Sequence, residues 1–176
     1  MLRATLFTLL IISLPTAIAQ GPELAGKNEL SLQGGLDFQG PNGDNTDIQV
    51  GYGWFLRDNL MIGGEYQWTL IEDIAPGEKD YRSQQGSVVA EWLFIGDSAL
   101  VPYVGAEIGF RNSKFSGLDE SGLVYGGSVG LQYFLTESVA IDASISLLFS
   151  DKDVFIVDFE GEKQYIYPSF GLKAFF

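Results

Sequence analysis

Alternation of apolar and polar side chains leaves this chain few folds to choose from. In "ELSLQGGLDFQ" Leu30, Leu32, Leu36 and Phe38 share one parity, and Glu29, Ser31, Gln33, Gly35 and Asp37 share the other. A period of two is what a half-buried strand presents and a helix does not. The alternation returns at Ile48, Val50, Tyr52 and Trp54, then at Leu60, Ile62, Tyr66 and Trp68, then at Val88, Ala90, Trp92 and Phe94. It continues from Leu100 to Phe110, Leu123 to Tyr133, Val139 to Phe149 and Ile166 to Phe176, which makes eight runs.

Composition decides which medium the apolar faces meet. The chain carries a net charge of −13 and a pI near 4.1, yet 46% of it is hydrophobic, 14% is aromatic and its mean hydropathy is +0.13. An acid excess excludes nucleic acid, or a bare anionic bilayer, as an electrostatic partner. The first 19 residues, with Arg3, an apolar run from Leu6 to Leu14 and small residues at Ala17 and Ala19, read as a secretory signal peptide cleaved after Ala19. Beyond it, no window reaches the roughly 18 uninterrupted apolar residues of a membrane helix. Residues 20–176 can therefore enter a bilayer only as a closed barrel of strands.

The connections support that reading. "WFLRDNLMIGGEY", "WLFIGDSALVPYVGAE" and "YFLTESVAIDAS" each run from an aromatic through a hydrophobic step and a short polar turn into a new strand, a hairpin repeat about 40 residues apart. "GPNGDNTD", "EDIAPGEKD", "NSKFSGLDESG" and "SDKDVFIVDFEGEK" between them read as longer, acidic loops. Short turns on one side and long loops on the other describe an eight-stranded antiparallel up-and-down transmembrane β-barrel, with both termini on the short-turn side. Outward aromatics sort by height, Trp54, Trp92, Phe94, Tyr133 and Phe176 near the turns and Phe38, Trp68, Phe110, Tyr125 and Phe149 near the loops. Bilayer interfaces select such belts.

On these residues the chain resembles the small eight-stranded outer-membrane barrels of the OmpA/OmpX type, without a peptidoglycan-binding domain. The resemblance implies the outer membrane of a Gram-negative bacterium, with lipid and lipopolysaccharide as neighbours. It also implies that the terminal Phe176 is the assembly signal read by the barrel-insertion machinery, a role compatible with a place in the aromatic girdle.

If the apolar parity faces lipid, the lumen receives Glu65, Glu91, Glu107, Arg111, Asp142 and Lys173, together with Gln33, Asp37, Gln49, Gln67, Gln132 and Ser144. Eight strands enclose just enough space for side chains to fill. A packed network of hydrogen bonds and ion pairs is therefore expected, with Lys173 pairing Asp142 and with Glu65 beside Glu91. A cation or proton path through the same acids is the alternative, and would make the protein a narrow ion or small-solute channel. A third reading is a secreted soluble barrel with a hydrophobic ligand inside.

Catalysis finds little support, because the chain has neither His nor Cys and so lacks the usual general base, thiol nucleophile and soft metal ligands. No cofactor or metal site is expected. The acid of the loops, Asp44, Asp47, Glu72, Asp73, Glu78, Asp80, Asp119, Glu120, Asp151, Asp153, Asp158, Glu160 and Glu162, makes a strongly negative rim, which reads first as a solvated surface and, more sharply, as a place where divalent cations bridge to lipopolysaccharide. The last loop, around Phe155 and Phe159, alternates and reads either as a protruding hairpin whose edge takes an extracellular partner strand or as a plain extension of the two barrel strands beside it.

Spin labels test the parity directly. Labels at Leu32, Val50, Ile62, Val104, Leu131 and Ile145 should report contact with lipid, and labels at Glu65, Glu107 and Asp142 should not; the reverse pattern would make this a soluble barrel.

Overall fold

The structure, a computed structural model, describes residues 22–40, 43–72, 81–115, 118–157 and 160–176. The proposed signal peptide lies outside the described residues. Among the described residues ten strands form: β1 (Asn28–Gly40), β2 (Gly43–Arg57), β3 (Leu60–Glu72), β4 (Tyr81–Leu93), β5 (Leu100–Phe115), β6 (Leu118–Thr136), β7 (Val139–Ser150), β8 (Phe155–Val157), β9 (Glu160–Glu162) and β10 (Gln164–Phe175). Eight of them close into an antiparallel barrel in the order β1-β10-β7-β6-β5-β4-β3-β2, and β8 with β9 makes a separate two-stranded sheet. The alternation places the side chains as expected: Leu32, Val50, Ile62, Val104, Leu131 and Ile145 are exposed on the outer wall, and Asp142 and Lys173 are buried within.

Two connections differ from the sequence reading. Residues 112–115 and 118–122, read as part of a loop, are ladder, with β5 and β6 paired as far as Phe115↔Leu118 and crowned by a Lys114–Asp119 ion pair of 3.0 Å. Hydrogen bonds from Lys114 and Asn112 hold the Asp119 carboxyl below the usual aspartate range. Asp47, counted on the rim, lies inside the wall, where its Oδ1 accepts from Thr69 Oγ1 at 2.5 Å and Gln67 Nε2 at 3.2 Å.

Apolar packing collects at the two ends of the barrel rather than along its axis. On the tight-turn side Leu24, Phe55, Leu93, Val101, Phe134 and Phe175 are buried against one another, with the Phe134 and Phe175 rings 5.1 Å apart and those of Phe55 and Phe175 6.0 Å apart. Each hairpin repeat supplies one member: in Trp54-Phe55-Leu56, Trp92-Leu93-Phe94 and Tyr133-Phe134-Leu135 the outer two side chains face out and the middle one faces in. Leu24 reaches this floor through a turn at Gly26, whose φ of 79° favours glycine. The N–H groups of Ala25 (2.8 Å) and Leu24 (2.9 Å) both donate to Asp58 Oδ1 and hold that carboxyl below its ordinary range. A depressed carboxylate stabilises above its unfolded pKa, about 4 for aspartate, so this clasp loosens as pH falls below that range. On the loop side Val124, Leu148, Val154 and Phe155 form a smaller cluster.

The closing seam is the weakest joint of the wall. Strands β1 and β10 pair over six positions, from Glu29↔Phe175 to Gly34↔Phe170, whereas β10 and β7 pair over eleven. The N–H of Phe176 points to Asn28 on β1 and that of Phe175 to Ser138 on the other side. Strand alternation then aims position 168 at β1, and Pro168 has no N–H to give. The seam stops two residues short of it.

Pro168→Val should restore that donor and lengthen the seam, slowing amide exchange at Leu36 and position 168 and adding about 1 kcal/mol of stability, the net value of one hydrogen bond. Unchanged exchange would mean that divergence of the strands, and not the missing donor, ends the pairing.

Candidate functional site: the lumen and its two closures

Above the apolar floor lies a layer of buried charge. Lys173, 1% exposed, sends its Nζ to Glu91 at 2.8 and 2.9 Å and to Glu29 at 3.1 Å, and sits 5.0 Å from the centre of the Tyr103 ring. The expected partner, Asp142, is not among these contacts. Its Oδ1 instead accepts from Gln33 Nε2 at 2.8 Å and from the Tyr103 hydroxyl at 3.2 Å. Distance along the wall explains the correction: the ladder sets Lys173 opposite Ala140 and Asp142 opposite Gly171, so Lys173 is directed across the lumen rather than along its own seam. Glu29, inward by the same parity, joins the lumen residues expected from the sequence. A Cβ at Gly130 would fall on the Tyr103 ring, so this glycine makes the room that brings the phenol to Asp142.

The middle layer is polar and nearly full. A cavity of about 30 Å³ is lined by Glu65, Glu91, Glu107, Gln49, Gln85 and Ser87 among others. By the measure of about 10–15 Å³ per enclosed water, it has room for about two. Glu65 accepts from Gln49 Nε2 at 2.6 Å, and Glu107 from Gln85 Nε2 at 2.9 Å and Ser87 Oγ at 3.5 Å. Glu65 and Glu91 are not cross-strand neighbours as expected: Ser87 stands opposite Glu65, and Met61 opposite Glu91.

Arg111 anchors the loop-side layer. Its guanidinium donates to Ser83 Oγ at 2.6 Å, Gln85 Oε1 at 3.1 Å, the Tyr81 hydroxyl at 3.3 Å and Gln67 Oε1 at 3.5 Å. All four acceptors are neutral. Across it lies the hairpin β8–β9, which neither protrudes nor continues the barrel strands: it folds inward, with Val154 and Phe155 buried and the Phe155 ring centre 5.1 Å from Arg111 Cζ. Phe159 lies outside the described residues. Sequence parity found the alternation in this segment but not the direction of its fold, because inward and outward hairpins alternate alike.

Among the described residues, six carboxylates (Glu29, Asp47, Glu65, Glu91, Glu107 and Asp142) therefore face two cations (Arg111 and Lys173) inside the wall. Every one of the six lumen residues expected from the sequence is inside, and they fall into three tiers rather than one cluster. Phe176 stands apart on the outer surface, 63% exposed, with its N–H and carbonyl bonded to Asn28 at 3.0 and 2.7 Å.

Comparison with known proteins agrees with this architecture. The family described as "Outer membrane protein beta-barrel domain" matches residues 4–170. No curated protein matches the sequence with significance. In fold, the chain is similar to Neisserial surface protein A, with a TM-score of 0.60 and 17% identity over 85% of this chain and 95% of that one. It is also similar to the N-terminal barrel of Pseudomonas aeruginosa OprF, at 0.54 and 17% over 88% and 100%. Yersinia pestis Ail in a phospholipid bilayer nanodisc gives 0.51 and 16% over 88% and 100%.

The tiers rank substitutions. Lys173→Ala strips the counter-charge from two buried carboxylates and should cost on the order of 3–5 kcal/mol, while Asp142→Asn keeps neutral partners on both sides and should cost about 1 kcal/mol. Denaturant unfolding of refolded barrel measures both; a larger loss at Asp142 would restore the Lys173–Asp142 pairing.

Proposed function

The chain belongs to the outer membrane protein β-barrel family, and from that premise we propose that it serves as a sealed, non-conducting barrel of the outer membrane whose loop-side face meets the cell exterior. The observation that carries this reading is the double closure. Phe55, Phe134 and Phe175 fill one end and Val154 with Phe155 the other, while Lys173 and Glu91 bridge the space between. A water-filled path would have to break all three. The channel reading keeps its surplus of lumen carboxylates, but among the described residues the strut and the two closures stand across the passage it would need. A soluble carrier of a hydrophobic ligand would turn its apolar parity inward, and here Val50, Val104 and Ile145 face out. A catalytic role has no His or Cys to build on.

Lipid and lipopolysaccharide are the neighbours this reading assigns, with the barrel-insertion machinery as a transient partner at Phe176. That residue closes the last strand against Asn28, and its exposed ring is free to be read during insertion.

Single-channel recording in a planar bilayer tests the sealed lumen. No unitary conductance is expected from the intact protein, and steady cation-selective openings would replace the sealed barrel with a channel. Deletion of Phe176 tests the assembly role: yield of inserted barrel in cells should fall far more than the stability of barrel refolded in detergent. Equal losses would leave Phe176 as a girdle aromatic alone.

A further inference from the structure

The loop-side closure is built differently from the floor. Strands that form the wall supply most of the floor, but a detached hairpin of two three-residue strands supplies the cap. Isolated two-stranded hairpins are marginal in water, so side-chain anchorage must hold it. The Val154 carbonyl accepts from Ser113 Oγ at 2.6 Å and from the Tyr81 hydroxyl at 3.1 Å. Its side chain packs in the niche of Val124 and Leu148. The Phe155 ring lies against the Arg111 guanidinium at 5.1 Å and stacks on Tyr165 at 5.4 Å and 18°. At the hairpin's base Asp151 Oδ1 accepts from Leu123 N at 2.8 Å, and Lys152 approaches Glu120 at 3.9 Å.

These are the contacts a peptide ligand makes. Two hydroxyls take one main-chain carbonyl, an apolar niche takes a branched side chain, and a guanidinium with an aromatic ring takes the following aromatic. Arg111 is 3% exposed and among the described residues its Nε has no hydrogen-bond partner, so the hairpin leaves one buried donor of the receiving side unused. The flanks argue the same way. Asp119 and Asp151 are exposed at the mouth, and the hairpin segment sets its own Asp153 and Glu162 beside them, so acid faces acid there even with Lys114 paired to Asp119.

We infer that the loop-side mouth is a binding site for an extended peptide bearing an aliphatic–aromatic pair between basic flanks, which the chain fills with its own Val154 and Phe155. A partner of that chemistry would keep the carbonyl, niche and ring contacts and gain charge complementarity with the rim. It displaces the hairpin only by binding the open form better than the closed one. The proposal rests on the loop side facing outward but does not need a sealed lumen, so conductance of the barrel alone bears on the earlier reading and not on this one.

The probe is a fluorescent, end-blocked Lys-Lys-Val-Phe-Lys-Lys peptide, titrated by anisotropy onto the full barrel in nanodiscs of zwitterionic lipid. Phe155→Ala, which empties the ring site, should bind it at least tenfold more tightly than the intact chain. The gain should vanish for the Lys-Lys-Val-Ala-Lys-Lys peptide and on adding Ser113→Ala. If Phe155→Ala does not fold, Phe155→Leu, which gives up the ring contacts with Arg111 and Tyr165 while keeping most of the side-chain volume, provides the comparison. Equal binding of the two peptides would reduce the effect to rim charge and overturn the proposal. So would dimers formed by exchange of hairpins, because the occupant would then be a second copy of the chain.

Discussion

A buried ammonium sets the terms for the interior. Lys173 of β10 meets Glu29 on the neighbouring strand β1 and Glu91 on β4, which stands four strands away in either direction round the barrel. The second contact is therefore a strut across the full diameter. Removing charge from water is costly unless geometry and counter-charge are good, so the ammonium fixes where both carboxylates must be. It also fixes what cannot be there, because a column of water would have to pass through the strut. Tyr103, Asp142 and Gln33 extend the same layer by hydrogen bonds, and Gly130 leaves the space in which Tyr103 lies.

The two ends and the seam then divide the wall into firm and yielding parts. The floor joins residues of β2, β4, β5, β6 and β10 with Leu24, so opening it would mean parting much of the barrel. The cap depends on a carbonyl, a valine and a phenylalanine from one hairpin. The seam is zipped over its turn-side half and ends near Pro168, so the loop-side half of β10 relies on β7 alone for its ladder. Both yielding features lie on the loop side, where a rigid scaffold leaves its connections free to bind.

Much of this was legible in the sequence because parity in a strand is a physical constraint, not a statistic. Leu32 and Val50 face out, and Glu91 and Lys173 face in, since a shift of one residue would reverse every side chain. Partner choice was less legible. Reading heights along adjacent strands paired Lys173 with Asp142 and Glu65 with Glu91, but a long side chain in a narrow barrel reaches across the lumen as readily as along the wall. Two further signals do stand in the sequence. The middle residues Phe55, Leu93 and Phe134 of the hairpin repeat are apolar at inward-facing positions because they make the floor, and Pro168 inside a strand marks an edge. The inward fold of β8–β9 left no such mark, as it depends on Arg111 and Tyr81 from distant strands.

The cross-barrel strut is the claim on which the rest depends, and a double-mutant cycle between Lys173→Met and Glu91→Gln, read by reversible unfolding of the refolded barrel, measures it most directly. The account predicts that the two changes are far from additive, with a coupling on the order of 2 kcal/mol or more because each single change strands a buried charge. Additivity within about 0.5 kcal/mol, the behaviour of independent sites, would contradict it.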